Sequence, residues 1–305
     1  MVNIRTISVN NMILEHDKIT KVAFDDNKNS PLYEGMKALA MEKKGSSSPI
    51  STFVSLELKD EYTENLTFFD KLVLEAITTL YIDGKNHYIT NSMIFHVLVG
   101  DNNRLMSKNF AEDINSSLIR LISTIVTIDA SDEVQMYPKL KNFKYRSPIV
   151  PGVMVEAQLN GHIASCVEVL KIPPLFTYAN MKNQISRISM NLIALPFSKA
   201  GKENKDQLLL LHYLLRRIVS LKKLSAKINY DTLYNIFHIS DTNADRLKKR
   251  KFRLREHAKK ILDSWKNQQF GNIFFKDYEE IKKSGKPCEI ILQFEYIKLS
   301  SPAIE

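Results

Sequence analysis

The feature that most constrains the fold is an order of predicted elements that occurs twice: three amphipathic helices followed by a β-hairpin. The first copy begins at residue 66 with LTFFDKLVLEAITTLY, where apolar residues recur at helical spacing. It ends with two β-rich runs around Asn160-Gly161, a dipeptide that strongly predicts a tight hairpin turn. The second copy runs from DQLLLLHYLLRRIVSLKK at residue 206 to CEIILQFEYI at residue 288. This order predicts two modules, each with helices packed on a small antiparallel sheet.

Start and stop signals support the helices of the first copy. Thr67 is the predicted N-cap of the first helix, and Thr90 or Asn91 that of the second helix, which Gly100 ends. The third helix is SKNFAEDINSSLIRLIS, and its predicted apolar face consists of Phe110, Ile114, Leu118, Leu121 and Ile125.

The third helix of the second copy lies in NADRLKKRKFRLREHAKKILDSWKNQ, residues 243–268. It has an apolar stripe at helical spacing: Leu247, Leu254, Ala258, Ile261 and Trp265. Asp241 or Thr242 is the predicted N-cap. Between residues 246 and 260 there are nine Lys or Arg and one acid, Glu256. The pattern predicts a packed helix with a densely basic outer face.

This arrangement of charges destabilises the isolated helix. Like-charged i,i+4 pairs include Arg246–Arg250, Lys249–Arg253 and Lys251–Arg255. Each costs roughly 0.2–0.5 kcal/mol, and cations in the first turns oppose the helix dipole by ~0.3–1 kcal/mol each. Most charge runs are solvated faces. An external anion, however, would reverse the sign of all these terms, and arginine suits bidentate contacts with phosphate and guanine.

The net charge is confined to the same part of the chain. Residues 201–305 contain 22 Lys or Arg and 13 Asp or Glu, whereas residues 1–200 contain 21 of each. The whole net charge of +9 therefore belongs to the last third. Such an asymmetry indicates a polyanionic partner for one domain.

The order of elements is that of a winged helix-turn-helix, whose third helix enters the major groove. We predict an α+β, mainly helical chain with two such domains in tandem, joined by a helical linker. The divisions are an N-terminal extension (1–50), a first winged helix (51–172) for dimerisation or auxiliary DNA contact, the linker (173–205) and the main DNA-binding domain (206–305). The predicted DNA-binding residues lie on the basic helix and the hairpin tip: Arg246, Lys248, Lys249, Arg250, Lys251, Arg253, Arg255, His257, Lys260, Lys282, Lys283 and Lys286.

No motif in the sequence argues for catalysis. Neither Gly-Lys pair after residue 200 forms a phosphate-binding loop, and the seven histidines form no metal-binding motif. Cys166 and Cys288 indicate neither a disulfide framework nor a metal site. Asp129, Asp132 and Glu133 could hold Mg²⁺, although a polar turn is the commoner explanation. We predict a protein that is not an enzyme and has no cofactor or metal.

With this order of elements the chain resembles the plasmid replication initiator (Rep) proteins built from two winged-helix domains. The motifs that carry the resemblance lie between about residues 50 and 297: FFDKLVLEAITTLYIDGKNHYITNSMIFHVLVG, IPPLFTYANMKNQI, LLLLHYLLRRIVSLK and AKKILDSWKNQ. The resemblance implies binding of double-stranded DNA at repeated sites of a plasmid, phage or mobile-element origin, opening of nearby DNA and recruitment of host replication proteins. It also implies that the first domain can mediate a homodimer, and the balanced charge of residues 1–200 is compatible with that. The third helix of this domain carries Lys108 and Arg120 but also Glu112 and Asp113, which makes it a poorer DNA reader than its counterpart.

Three further expectations complete the sequence-based interpretation. No apolar run approaches the ~18 residues of a membrane span, and the N-terminus has no signal core, so we expect a cytoplasmic protein with no membrane partner. The resemblance implies that this cytoplasm is bacterial and that the protein is associated with DNA. A winged-helix transcriptional regulator that does not melt an origin is the main alternative. A primase or relaxase acting through Asp129 and Asp132 is a third, and it would require metal-dependent activity on DNA.

Overall fold

The computed structural model describes residues 9–24, 37–41, 50–57, 65–141, 143–159, 162–197, 205–221 and 224–296. The chain divides into two compact units, Met1–Met190 and Asn191–Glu305, called here the first and second unit. Within the described ranges, thirteen strands form four antiparallel sheets and nine α-helices pack against them. None of the helices in those ranges combines the length and apolar character that crossing a bilayer requires.

The elements of the first unit are, in chain order, β1 (Asn11–Glu15), α1 (Lys18–Ala23), β2 (Lys37–Met41), β3 (Ile50–Glu57), α2 (Phe68–Ile82), β4 (Tyr88–Thr90), α3 (Asn91–Val99), α4 (Lys108–Ser123), β5 (Ile125–Asp129), β6 (Lys144–Pro148), β7 (Gly152–Leu159), β8 (His162–Val169), α5 (Pro174–Met181) and β9 (Ile185–Ser189). The short helix α6 (Met190–Ala194) lies at the division. The second unit then contains α7 (Lys205–Val219), β10 (Ser225–Asn229), α8 (Tyr230–Ile236), α9 (Ala244–Trp265), β11 (Gln269–Phe270), β12 (Ile273–Lys283) and β13 (Lys286–Tyr296).

The three predicted helices of the first copy are α2, α3 and α4. Thr67 caps α2 through a capping box with Asp70, and Thr90 caps α3. Gly100 ends α3 with a φ of 72°, a left-handed conformation that glycine adopts at little cost. Phe69 and Phe95 both make edge contacts with the ring of Phe110, at centroid distances of 5.7 and 5.1 Å. These contacts join the three helices in one core.

Helix α2 is buried on all sides because the N-terminal strand β1 covers its polar face. Strand β1 pairs with β9, which lies far along the chain. The backbone N–H of Ile13 donates to Thr79 Oγ1 (2.9 Å), and that of Glu15 donates to Glu75 Oε1 (2.9 Å). The polar side chains of α2 therefore satisfy the groups of an added strand rather than facing water.

Two further sheets complete the first unit, with strand orders β2-β3-β5-β6 and β4-β8-β7. Strands β7 and β8 pair antiparallel with Leu159 opposite His162. The predicted turn at Asn160-Gly161 lies outside the described residues.

The second unit packs α7, α8 and α9 against a four-stranded sheet of order β10-β13-β12-β11. Leu208, Leu211, Leu215 and Ile218 form a buried stripe on α7, and Ile290, Leu292 and Phe294 on β13 are buried as well. Tyr296, at the end of the same strand, is 60% exposed.

The predicted fold class is wrong: the chain is a mixed α/β structure with several antiparallel sheets rather than a mainly helical tandem of winged helices. Two of the four sheets were not predicted: β1-β9 and β2-β3-β5-β6. The expected helical linker is wrong as well, since its first half contains α5 and the strand β9. The error has a physical cause: strand pairing between distant segments leaves little periodic signal in a single sequence, whereas amphipathic helices leave a strong one.

Candidate nucleic-acid interface

The N-cap of the basic helix α9 lies one or two residues later in the chain than predicted. Its N-cap is Asn243, whose Oδ1 accepts hydrogen bonds from the backbone N–H groups of Asp245 (3.0 Å) and Arg246 (3.1 Å). Asp241 instead accepts from the N–H of Asn243 (2.9 Å). The prediction of Asp241 or Thr242 as the cap is therefore wrong, because Asp241 orders the turn that leads into the helix.

The inner face of α9 fixes which charges point outward. Leu254, Ala258, Ile261 and Trp265 are buried as predicted, together with Leu262. The indole Nε1 of Trp265 donates to the carbonyl oxygen of Leu192 (2.8 Å), and its ring packs edge-on against Phe270. The C-terminal half of the helix is thus firmly packed, while Leu247 near its start is only half-buried.

Five cations form what we call the basic face of α9, defined as Arg246, Lys248, Lys249, Arg253 and Lys260. All five side chains are exposed. Within the described ranges none of them has a carboxylate within 4 Å, although salt bridges form elsewhere on the same helix. Their charges are therefore available to an external anion.

Three other cations on α9 are used inside the second unit. Arg250 Nη1 donates to the carbonyl oxygen of Ser240 (2.5 Å), and Arg255 Nη1 donates to Tyr234 Oη (3.0 Å). Lys251 Nζ lies 4.6 Å from the centre of the Tyr234 ring. These contacts hold α9 against the preceding loop and α8, so the three residues do not belong to the basic face, although Arg250 is exposed.

His257 lies apart from the outward-facing cations with which the sequence grouped it. It is half-buried, and its Nε2 is 3.0 Å from the side-chain nitrogen of Gln207 on α7. Burial lowers the pKa of His257, and the positive charges of Lys260 and Arg253 lower it further. The lowered pKa favours the uncharged form of the imidazole.

The hairpin tip carries the remaining predicted residues, Lys282, Lys283 and Lys286. Ser284 and Gly285 both have positive φ, 52° and 73°, as a two-residue type I′ turn requires. Lys283 and Lys286 face each other across the two strands, and all three lysines are exposed. In the described part of the chain they have no acidic partner, so the tip is a second set of free cations.

The body of the hairpin is tied to α9 through Glu280 on β12. Glu280 accepts a hydrogen bond from Tyr230 Oη (2.8 Å) and forms an ion pair with Lys259 Nζ (3.0 Å). Partial burial acts to raise the pKa of Glu280, but the hydrogen bonds from Lys259 and Tyr230 outweigh it and lower that pKa. The contact could not be predicted from the sequence, because the three residues are widely separated along the chain.

Helix α4, the counterpart of α9 in the first unit, has no comparable face. Arg120 forms a bidentate pair with the buried carboxylate of Asp70, at 2.9–3.2 Å. Lys108 is exposed but lies 3.8 Å from Glu112 in the next turn. Both basic residues of α4 therefore have acidic partners.

The acidic stretch Asp129–Glu133 is divided among separate structural contacts. Asp129 accepts from Ser131 Oγ (2.6 Å) and pairs with Lys144 Nζ (2.9 Å), and these contacts lower its pKa. Glu133 is fully buried and accepts from Tyr178 Oη (2.5 Å) and Lys182 Nζ (2.6 Å). Among the described residues no three His, Cys, Asp or Glu side chains are grouped to hold a metal ion. Glu133 is thus a structural residue of the first unit.

The chain is similar to two solved structures. One is of selenomethionine derivatives of domains 2 and 3 of RctB, with 12% identity and a TM-score of 0.43 over 92% of this chain and 96% of that chain. The other is of RctB domains 2–3, with 10% identity and a TM-score of 0.44 over 91% and 96%. Likenesses of this size transfer no function. No protein-family model and no curated protein matches the chain in sequence.

Proposed function

We propose that the chain binds double-stranded DNA through the basic face of α9 and the hairpin tip, and that it initiates replication at an origin of a plasmid, phage or mobile element. The observation that carries the proposal is that five cations on one helix have no acidic partner in the described ranges, even though their mutual repulsion destabilises that helix. A duplex places phosphates along both walls of a groove wide enough for a helix. Its phosphates would remove the repulsion that the protein leaves unbalanced.

The replication role rests on the resemblance of the quoted motifs to Rep initiators. On that basis the protein binds repeated origin sites, recruits host replication proteins and works in the bacterial cytoplasm on DNA, without catalysis or cofactor of its own. Self-association through the first unit is part of the same proposal. It is supported by β7, an edge strand with the exposed apolar side chains Val153 and Met154.

Matched charge removal tests the DNA interface. The triple variant Arg246→Ala/Lys249→Ala/Arg253→Ala should weaken binding to a random duplex pool by at least about 100-fold, given ~1–3 kcal/mol for each side chain removed. The control Lys108→Ala/Lys144→Ala/Arg146→Ala removes the same net charge from cations that already have acidic partners. Equal weakening in the two variants would mean that binding follows net charge rather than this site.

Strand opening separates initiation from transcriptional regulation. A supercoiled plasmid carrying direct repeats of the selected site beside an AT-rich tract should show permanganate-reactive thymines in that tract when the protein is bound. Occupied sites without such reactivity would favour a regulator that binds an operator.

A further inference from the structure

We propose that Phe252 on α9 is a specificity-determining residue that contacts the 5-methyl group of thymine in the major groove. This inference depends on the proposed DNA-binding function. It adds which base Phe252 recognises.

The phenyl ring of Phe252 lies in solvent rather than in the core. Its relative exposure is 53%, and in the part of the chain that the structure describes it is the one phenylalanine among the exposed large apolar side chains. It is also off the buried stripe, two residues before Leu254. Phe252 is therefore not one of the buried core residues of the second unit, and the exposure of its ring to water has a free-energy cost.

The neighbours of Phe252 on the helix surface indicate the kind of partner. Lys248, Lys249 and Arg255 lie four and three residues before it and three residues after it, on the same side of the helix. Lys248 and Lys249 belong to the basic face. A single apolar ring is too small an apolar face to anchor a helix in lipid, and an apolar protein surface would take water from the cations without giving them partners. A major groove supplies phosphates for the cations and thymine methyl groups for the ring within a single surface.

Arg255 gives the ring a fixed neighbour. Its guanidinium carbon is 6.0 Å from the centre of the Phe252 ring and 5.8 Å from that of Tyr230. Tyr234 Oη accepts a hydrogen bond from the same guanidinium. A side chain that has to read one position on a base gains from such a support, because it gives up less rotational freedom on binding.

The chemistry of the readout distinguishes one base from the others. Thymine alone presents a methyl group at C5 on the floor of the major groove, and apolar side chains recognise it by contact. Replacing thymine by uracil removes that methyl group and leaves the base pair intact. The contact can therefore be tested without changing any hydrogen bond.

The experiment uses the full chain and a duplex that the protein itself selects from a random pool. Each thymine of the selected site is replaced singly by deoxyuridine, and affinities are measured by fluorescence anisotropy. We expect one or two replacements to weaken binding by about fourfold, the effect of removing one buried methyl group. In Phe252→Ala those same replacements should have no effect, while Phe252→Leu should retain part of the preference. Tyr296→Ala, which removes another exposed aromatic ring of the second unit, should respond to uracil as the unsubstituted protein does.

The outcomes separate this inference from the proposal on which it depends. Sensitivity to uracil that survives in Phe252→Ala, or its absence in the unsubstituted protein, overturns the thymine contact while DNA binding stands. The unsubstituted protein could be insensitive to uracil while Phe252→Ala binds thymine and uracil duplexes equally weakly. The ring would then contact the sugar-phosphate backbone, and the thymine contact would again be overturned. A pool from which no preferred duplex can be selected overturns sequence-specific binding itself.

Discussion

Helices α4 and α9 each follow two shorter helices in the chain, yet they differ in whether their basic side chains have acidic partners. In α4 the two cations have acidic partners, and Arg120 reaches a carboxylate that is itself buried. In α9 nine cations share one helix, and five of them have no acidic partner among the described residues. A basic residue thus indicates a ligand only when the fold leaves its charge unbalanced. Substitutions in the two units test that difference, beginning with the most disruptive.

The largest effect should come from the anchor that holds α9 in place. Trp265→Ala removes a fully buried ring and its hydrogen bond to Leu192, and should destabilise the second unit by ~3–5 kcal/mol. Urea unfolding followed by circular dichroism should show an early transition in this variant. Trp265→Phe keeps much of the ring and should be less destabilised. An unchanged unfolding curve for Trp265→Ala would contradict the assigned packing of α9.

Removal of Arg120 should have the next largest effect, and it should lower the stability of the first unit alone. Arg120→Ala leaves the buried carboxylate of Asp70 without its guanidinium partner, which should cost about 3 kcal/mol of stability. Duplex binding per folded molecule should be unchanged. Because the chain contains a single tryptophan, Trp265, its fluorescence reports the second unit while circular dichroism reports both. Loss of DNA binding in a folded Arg120→Ala protein would give α4 the role assigned here to α9.

Arg253→Ala should show the opposite pattern to Arg120→Ala. Binding to the selected duplex should weaken by ~1–3 kcal/mol, with relaxed specificity at one base pair if the guanidinium contacts a guanine. The melting temperature should hold or rise, because the substitution removes the like-charged pair with Lys249. Lys259→Ala is the matched control on the same helix: its ammonium pairs with Glu280, so it should bind DNA nearly normally. A lower melting temperature with normal DNA binding in Arg253→Ala would mean that the basic face is merely solvated.

The two units should also differ in the pH dependence of their stability. Burial raises the pKa of Glu15 in the first unit from 4.5 to about 8, and the nearby carboxylates of Glu75 and Asp17 add to the effect. The folded unit then holds a proton that the unfolded chain releases. Stability from this group is fully present below about pH 4.5 and is lost as the pH rises to about 8, at a slope of at most about 1.4 kcal/mol per pH unit.

In the second unit the sign is reversed, since burial lowers the pKa of His257 below its ordinary 6.5. Stability from His257 is present above that value and is lost as the pH falls through the lowered pKa. As the pH rises from 5 to 8, urea unfolding should therefore show the first unit losing stability while the second unit gains it. Glu15→Gln should flatten the slope of the first unit, whereas Glu112→Gln, an exposed control, should leave it unchanged. A slope that survives in Glu15→Gln would assign the proton to another group.

The smallest effect is expected at the hairpin tip. Lys282→Ala and Lys283→Ala should each weaken binding to all duplexes similarly, and the slope of log K against log salt should fall by about 0.9 for each phosphate that is no longer neutralised. Anisotropy titrations at several salt concentrations would measure this. A change in base preference without a change in the salt slope would mean that these lysines contact the base edges rather than the phosphates.

Much of the local structure could be predicted from the sequence because its causes are local. Thr67, Thr90 and Gly100 mark helix ends through contacts within a few residues, and the stripe from Leu254 to Trp265 records one buried face. The site could be predicted in part. The run of cations was visible, but which of them are free was not, since Ser240, Tyr234 and Glu280 hold several of them in contacts within the second unit. Phe252 did leave a signal, as an aromatic residue off the apolar stripe.

The three helices of each copy, most of their caps, the hairpin of the second unit and the concentration of positive charge in the last third follow from the sequence, because each depends on neighbouring residues or on a simple count. Only the tertiary structure shows that β1 pairs with β9 over α2 and that Glu133 is buried against Tyr178 and Lys182. The same is true of the contact between His257 and Gln207 on α7. These features depend on pairs of residues far apart along the chain. Whether a charged side chain becomes structural or stays available to a ligand is settled by the partner that folding brings to it, and a single sequence carries no record of that pairing.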